Sequence, residues 1–551
     1  MVKKSLRLKS LVALFFVVVT LPCFGARKVT VKPQKSLQSP SVTVVFVVDQ
    51  FAHHYLEKLK PHFKGGLKTL LNQGIVYHYA YHPHGLPCTA TGHAALSTGC
   101  FAKHHGIVDN EMPDETTGVM HASDEGPDKI KSSRLLMVDN LVDQFMISAQ
   151  PGKKHHAFSL SLKSRSAIMM GGKRGKVIWF NNEAGQFDSS PAYYDKLPEW
   201  LCQFNAHNRI STKETITWKT HFPFDSDPYK FDHIDNYDFA VIPKLINRPI
   251  SFNLADKAPY EMFLKTPYAQ KQLLDLAQAC IHEHYVNRDQ DRVLLFVSLS
   301  SLDLVGHMYG PDSRECIDML YHLDAQLEAF FKQLASKVPK DKTLFVITGD
   351  HGIMPIPEIL QKKGLSSAQR ILSKDIVTKM NAALKQKYGV ADLVGYYEPP
   401  YFFMDKVKFD AIDTAGQLKA LTFLKEFLKK QSGFREVWVT QDLVAGSFNR
   451  GSLEYNFQHQ IYPGRSGHLL CLMHPYVMLT NYASGTSHAT PYGYDTQVPL
   501  VMYQAGHLEK KQVHDRVATQ QLPVTLAHLL GVAKPSASAF KVLPGVFQSV
   551  K

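Results

Sequence analysis

Three apolar runs of the chain end in the same way. Ser41 to Val48 is a continuous β-branched stretch closed by Asp49, Arg292 to Leu299 leads into Ser300-Ser301-Leu302-Asp303, and Thr343 to Ile347 leads into Thr348-Gly349-Asp350-His351-Gly352. Unbroken apolar runs of this length predict parallel strands buried on both faces. Ligands of open α/β sheets bind beyond the carboxyl ends of such strands, so three acids leaving three strands predict convergence on one site. Helical patterns at Tyr55 to Asn72, Thr266 to His282 and Ser313 to Ala335 separate the runs, and Thr266-Pro267 is a good helix start. The prediction is an α/β fold: a doubly wound, mostly parallel central sheet.

Two stretches interrupt that rhythm. Residues 191–265 are rich in Trp, Tyr, Phe, Pro and Asn without clean periodicity and read as an insertion or cap. Residues 355–475 mix helical patterns (Ser373 to Tyr388, Ala415 to Lys430) with short strands such as Glu436 to Thr440. At the N-terminus, Lys3, Lys4, Arg7 and Lys9 precede an apolar run from Leu11 to Phe24 and small residues around Cys23 and Gly25. That run is short for a bilayer span and reads as a cleaved signal peptide over residues 1–25. Pro22 argues against a lipid anchor on Cys23. The expected organisation is one catalytic domain, residues 26–551, with insertions at about 191–265 and 355–475, exported to the periplasm or beyond and without a membrane span once the signal is removed.

Composition narrows the class. With 44% hydrophobic and 20% charged residues among 551, the chain is an ordinary globular protein. Its formal charge of +13 falls to about +9 without the four basic residues of the signal. That surplus suits anionic substrates, and the lack of a dense Lys/Arg run disfavours binding to nucleic acid duplexes. Seven cysteines include no C-x-x-C pair, which argues against a thiolate zinc knuckle; disulfides among the six mature cysteines stay open, and their pairing is not legible.

The candidate chemistry centres on Leu86-Pro87-Cys88-Thr89-Ala90-Thr91-Gly92-His93. A hydroxyl just before a helix-compatible run meets backbone N–H groups and a dipole that favour an incoming anion, which makes Thr89 a candidate nucleophile. Candidate metal ligands are Asp49, Asp303, His307, Asp350, His351 and His488. Carboxylate oxygen with imidazole nitrogen suits zinc, and the four-residue step places Asp303 and His307 on one helical turn. A lone histidine in such a chain is a cap or a bridge to a carbonyl; six ligand-type residues in these contexts are harder to explain so. Lys163 and Arg165 follow the apolar run Ala157 to Leu162 and share a face if that segment is extended.

The ordered series Asp49, Thr89 with Gly92-His93, Asn110, Lys163-Ser164-Arg165, Asp303-x-x-x-His307, Asp350-His351-Gly352 and Gly485-x-x-His488 resembles the alkaline phosphatase superfamily. Within it, the chain looks like the type I phosphodiesterase/nucleotide pyrophosphatase group and the phosphate-irrepressible alkaline phosphatases of bacteria, from about Val42 to Leu543. The resemblance implies two zinc ions, one on Asp303, His307 and His488, the other on Asp49, Asp350, His351 and the Thr89 oxygen. It implies a phosphothreonine intermediate on Thr89 and substrate phosphate held by Asn110, Lys163 and Arg165. The Lys-x-Arg pair points to small phosphate monoesters as substrates of a monomeric alkaline phosphatase. The alternative is a phosphodiesterase or nucleotide pyrophosphatase using the same bimetal site. Cys88 and Thr91 stand where the group usually has an aromatic residue and a proline, making Thr91 a rival nucleophile; register against Gly92-His93 and Asn110 selects Thr89.

Overall fold

The computed structural model describes residues 39–114, 118–125, 128–211, 215–230, 244–252, 254–287 and 290–547, so the signal peptide expected over residues 1–25 lies outside the described residues. A nine-stranded sheet runs through the middle. Its strands, in chain order, are β1 (Val42–Val48), β2 (Ile75–Tyr81), β3 (Lys154–Ser161), β4 (Lys176–Asn181), β5 (Gln186–Asp188), β6 (Asp291–Leu299), β7 (Thr343–Gly349), β8 (Leu500–Gln504) and β9 (Lys511–Ala518). Across the sheet they lie in the order β9-β2-β8-β7-β1-β6-β3-β4-β5. Neighbours pair in parallel, except that β8 runs against β7 and β2, and β5 against β4. The fold is the expected α/β architecture with a mostly parallel central sheet.

The three acid-terminated runs form the centre of that sheet. β1 lies between β6 and β7, with Val48 level with both Leu299 and Gly349. All seven residues of β1 are buried, which explains an apolar run with no alternation. Five helices matter for the site: α1 (Thr89–Thr98), α2 (Ser164–Gly171), α3 (Pro267–His284), α4 (Ser301–Tyr309) and α5 (Arg314–Ala335). The helical pattern at Tyr55 to Asn72 is broken into His54–Leu59, a 3-10 turn and Gly66–Gln73. Pro61 contributes to the break. The carboxylate of Asp324 on α5 caps the new start, accepting from the N–H groups of Lys64, Gly65, Leu67 and Lys68.

The two stretches without clean periodicity pack differently. In residues 191–265, buried Trp218, Tyr229, Phe252 and Tyr260 join the main core. Trp218 Nε1 donates to Asp318 Oδ2 of α5 at 2.6 Å, and the Tyr229 hydroxyl donates to the same carboxylate. Residues 355–475 instead hold their own four-stranded sheet, in the order Val394–Glu398, Tyr401–Met404, Leu469–Met473, Phe434–Val439. Helices Ser373–Tyr388 and Thr414–Lys429 pack on it around a separate core that includes Met380, Leu384, Leu424 and Leu469. The six cysteines expected in the mature chain are all free, five of them buried and Cys202 exposed, so no disulfide links the described residues. None of the described helices is long and apolar enough to cross a membrane.

Candidate active site

Parallel register delivers the carboxylates together. Asp49 and Asp350 follow directly on β1 and β7, and Asp303 lies in the first turn of α4, just past β6; all three are buried. Four residues on, His307 brings Nε2 to 3.2 Å from Asp303 Oδ1. His351 is also fully buried, with Nε2 at 3.3 Å from Asp49 Oδ1 and 3.4 Å from Asp350 Oδ2. His488 arrives from a distant loop, and its ring stacks on that of His351 with centroids 3.7 Å apart.

The three histidines are anchored alike. Nδ1 of His307 faces Thr486 O at 2.8 Å, Nδ1 of His351 faces Gly352 O at 2.9 Å, and Nδ1 of His488 faces Pro87 O at 2.9 Å. A carbonyl only accepts, so Nδ1 carries the proton in each ring and Nε2 is the atom turned toward the carboxylates. This is the outer-shell arrangement that orients imidazole ligands.

Two trios of ligand atoms each fall within 4.8 Å of one another: Asp303, His307 and His488, and Asp49, Asp303 and His351. Asp303 thus belongs to both. The second trio has Asp303 where the expected set has Asp350, whose Oδ1 is engaged by the N–H groups of Gln50 (3.1 Å) and His351 (3.0 Å) and whose Oδ2 lies 3.4 Å from His351 Nε2. Asp49 Oδ1 and Asp350 Oδ2 are buried and accept no hydrogen bond. Two orphaned carboxylate oxygens are what a cation site requires. Lys163 Nζ already brings positive charge there, donating to Asp49 Oδ2 at 2.7 Å and to Asp303 Oδ2. The donor set fits a divalent ion that takes nitrogen and oxygen ligands.

Without an ion, Lys163 and His351 supply the positive charge among these carboxylates. Burial alone would raise the Asp49 and Asp303 carboxyls; Lys163 and the neighbouring histidines outweigh it and hold both well below the usual carboxylate range. Burial would likewise lower His351, but Asp350 and Asp49 raise it to about 9. Burial, followed by the nearby His351 and His307, pushes His488 well down, keeping its ring neutral.

Thr89 is the first residue of α1, after Cys88 in extended conformation. Its Oγ1 lies 3.4 Å from His351 Nε2. Gly92 permits this closeness, since a Cβ there would stand 2.4 Å from Asp350 O. Thr91 Oγ1 instead donates to Ile107 O and contacts Cys88 Sγ. Asn110 Oδ1 accepts from Ala90 N at 2.9 Å, which fixes the amide and leaves its NH2 free to donate beside Thr89. The segment bearing Asn110 is gripped by residues 355–475: Gln460 Nε2 donates to Val108 O at 2.6 Å, and Arg465 Nη1 to Gly106 O at 2.6 Å. Lys163 and Arg165 are not two steps of one extended segment. Lys163 is the extended N-cap of α2, while Arg165 is already helical. Arg165 Nε is buried without a hydrogen-bond partner.

Two further buried residues, neither assigned a role from sequence, touch this cluster. His93, one turn after Thr89, faces Thr89 O with Nδ1 at 2.7 Å and Ser298 Oγ with Nε2 at 2.8 Å, and Asp350 Oδ2 lies 3.1 Å from Nδ1. Its four-residue offset from Thr89 was the available signal. Gln50, the other, donates from its side-chain amide to Asp303.

The comparisons with known proteins meet this geometry. A family model described as type I phosphodiesterase / nucleotide pyrophosphatase matches residues 43–497. The chain belongs to that family. This type I phosphodiesterase/nucleotide pyrophosphatase family member is 27% identical to alkaline phosphatase PhoV of Synechococcus elongatus over 537 residues, 93% of this chain and 94% of that protein. It is 26% identical to alkaline phosphatase PafA of Elizabethkingia meningoseptica over 560 residues, covering 96% and 98% of the two chains. The crystal structure of wild-type PafA matches with a TM-score of 0.80 at 25% identity, over 92% of this chain and 99% of that one. Murine ectonucleotide pyrophosphatase/phosphodiesterase 5, at 14% identity and a TM-score of 0.52, shares the fold. The family member therefore stands within the alkaline phosphatase superfamily.

Proposed function

We propose that this phosphatase hydrolase is an exported, zinc-dependent alkaline phosphatase that hydrolyses phosphate monoesters through a phosphothreonine on Thr89. The observation that carries the reading is the meeting, at one helix N-terminus, of the Thr89 hydroxyl with the two carboxylate–imidazole trios. Asp303, His307 and His488 would hold one ion, and Asp49, Asp350, His351 and the Thr89 oxygen the other. The chemistry such a pair supplies is Lewis acidity toward the attacking and leaving oxygens of an in-line displacement.

The chain's own residues do the rest. The N-terminal N–H groups and dipole of α1 face the incoming anion. Thr89 Oγ forms a bond to phosphorus as the bond to the substrate alcohol breaks, and the alcohol departs with the proton that Thr89 gave up. Water then cleaves the phosphothreonine, releasing inorganic phosphate and restoring Thr89, so two displacements leave the configuration at phosphorus unchanged. The Asn110 amide and the unpartnered Arg165 guanidinium supply donors to the non-bridging oxygens, which a dianionic monoester has in greatest number. Lys163 is the cation free to exchange carboxylates for phosphate. Export rests on the N-terminal stretch, and residues 26–551 are taken as one catalytic domain with its two insertions.

The family's description supports a second reading, a phosphodiesterase or nucleotide pyrophosphatase on the same site. Steady-state kcat/KM of the zinc-loaded chain on matched aryl phosphate and bis-aryl phosphate separates them. A strong monoester preference supports the first; a diester preference selects the second. Acid-quenched turnover of labelled monoester should trap phosphate on Thr89, and Thr89→Ala should lose both the label and nearly all turnover. A fully active Thr89→Ala enzyme would overturn the nucleophile assignment.

A further inference from the structure

We propose that Gln50 is a positioning residue that sets the acidic ligands on both sides of β1, and that Gly306 is present to admit its side chain. The proposal rests on the metal reading of Asp303 and Asp350. Gln50 directly follows Asp49 and is completely buried, at a φ of +68° that side chains rarely adopt. In that left-handed conformation it addresses both flanking strands at once. Its backbone N–H donates to Asp350 Oδ1, past β7, at 3.1 Å, and its Nε2 donates to Asp303 Oδ1, past β6, at 2.9 Å.

Each carboxylate is thereby held by one oxygen. Asp350 keeps Oδ2 turned toward His351, and Asp303 keeps Oδ2 turned toward Lys163. The residue type follows from the charges. A glutamate would add a further acid to the cluster, and a lysine would compete with the bound ion; a neutral amide donates without doing either. The amide leaves Oε1 buried and unpartnered, an unfavourable arrangement that the Nε2 donor makes intelligible. Gly306 completes the device. It sits inside α4 between Asp303 and His307, and a Cβ there would stand 1.8 Å from Gln50 Oε1. Any side chain at 306 would push the amide off Asp303.

The experiment measures zinc content and zinc dissociation constants, by competition with a chromogenic chelator, for the wild type, Gln50→Gly, Gln50→Asn, Gly306→Ala and the Gln50→Gly/Gly306→Ala double variant. Melting temperatures of the metal-stripped proteins are recorded alongside. Glycine and asparagine both tolerate the left-handed backbone. They keep the N–H bond to Asp350 and lose the reach to Asp303, and their stripped forms should still melt in one cooperative transition, which separates a lost ligand position from a lost fold. Each should bind its weaker zinc about 10- to 100-fold less tightly, the usual loss when an outer-shell partner is removed. Gly306→Ala should do the same, and the double variant should be no worse than Gln50→Gly, because the new methyl no longer meets an amide. Wild-type affinity for both ions in Gln50→Gly and Gln50→Asn overturns the role of Gln50. Additive losses in the double variant overturn that of Gly306. A wild-type chain that binds no zinc removes the metal reading itself, a result distinct from both.

Discussion

The metal half of the site and the phosphate half are built on different foundations. Asp49, Asp303 and Asp350 leave three adjacent central strands, so their spacing is fixed by parallel register that every residue of β1 shares. Asn110 and Arg165 come from a loop and a helix start, and the loop is held from outside by Gln460 and Arg465 of residues 355–475. The carboxylates of the first half are placed by the sheet itself. The second can be loosened without touching the strands. Damage to one half should therefore be separable from damage to the other by measuring bound zinc alongside turnover.

Removal of zinc by chelation gives the largest effect expected: turnover on every phosphoester disappears and returns on zinc addition. Retained activity after complete stripping would break the comparison at its root. Next comes Arg165→Ala, which should lower monoester kcat/KM by about 10²- to 10³-fold, as loss of one donor to a developing charge does, with zinc content unchanged. Equal losses on diesters would remove Arg165 from the phosphate half. Arg465→Ala frees Gly106 O and Leu135 O, both of which its Nη1 now binds. With the Asn110 loop loosened, kcat/KM should fall about 10-fold, again at full zinc content. A parallel loss of zinc would show that the two halves share a foundation after all.

The smallest effect concerns pH. Burial, with Glu111 alongside, raises the Glu398 carboxyl to about 7 from an ordinary 4.5. Because the folded value lies above the unfolded one, the stability Glu398 contributes is complete below 4.5 and is lost as pH rises through about 7. Glu398→Gln should flatten that part of the Tm-against-pH curve and leave zinc binding as it was. An unchanged slope would clear Glu398 of the effect.

The same division explains what the sequence could tell. The acids at strand ends were legible because a buried parallel strand writes itself as an unbroken apolar run, and the residue after it is placed by register alone. Asp303 and His307 were legible because a helical turn fixes a four-residue step. What escaped depended on partners far along the chain. The helix expected from Tyr55 to Asn72 breaks at a cap supplied by Asp324, more than 250 residues away. Lys163 and Arg165 do not share one extended segment because α2 starts between them. Gln50 carried no signal in the sequence; its two acceptors lie on segments that only the folded sheet brings beside it.

The free cysteines bear on what holds such a molecule together. With Cys88, Cys100, Cys280, Cys316 and Cys471 packed as small apolar groups and Cys202 alone at the surface, its architecture is held by packing and backbone pairing, with no covalent cross-links among the described residues. Thiol reductants have no bond there to cut, so the melting temperature should be the same with and without them.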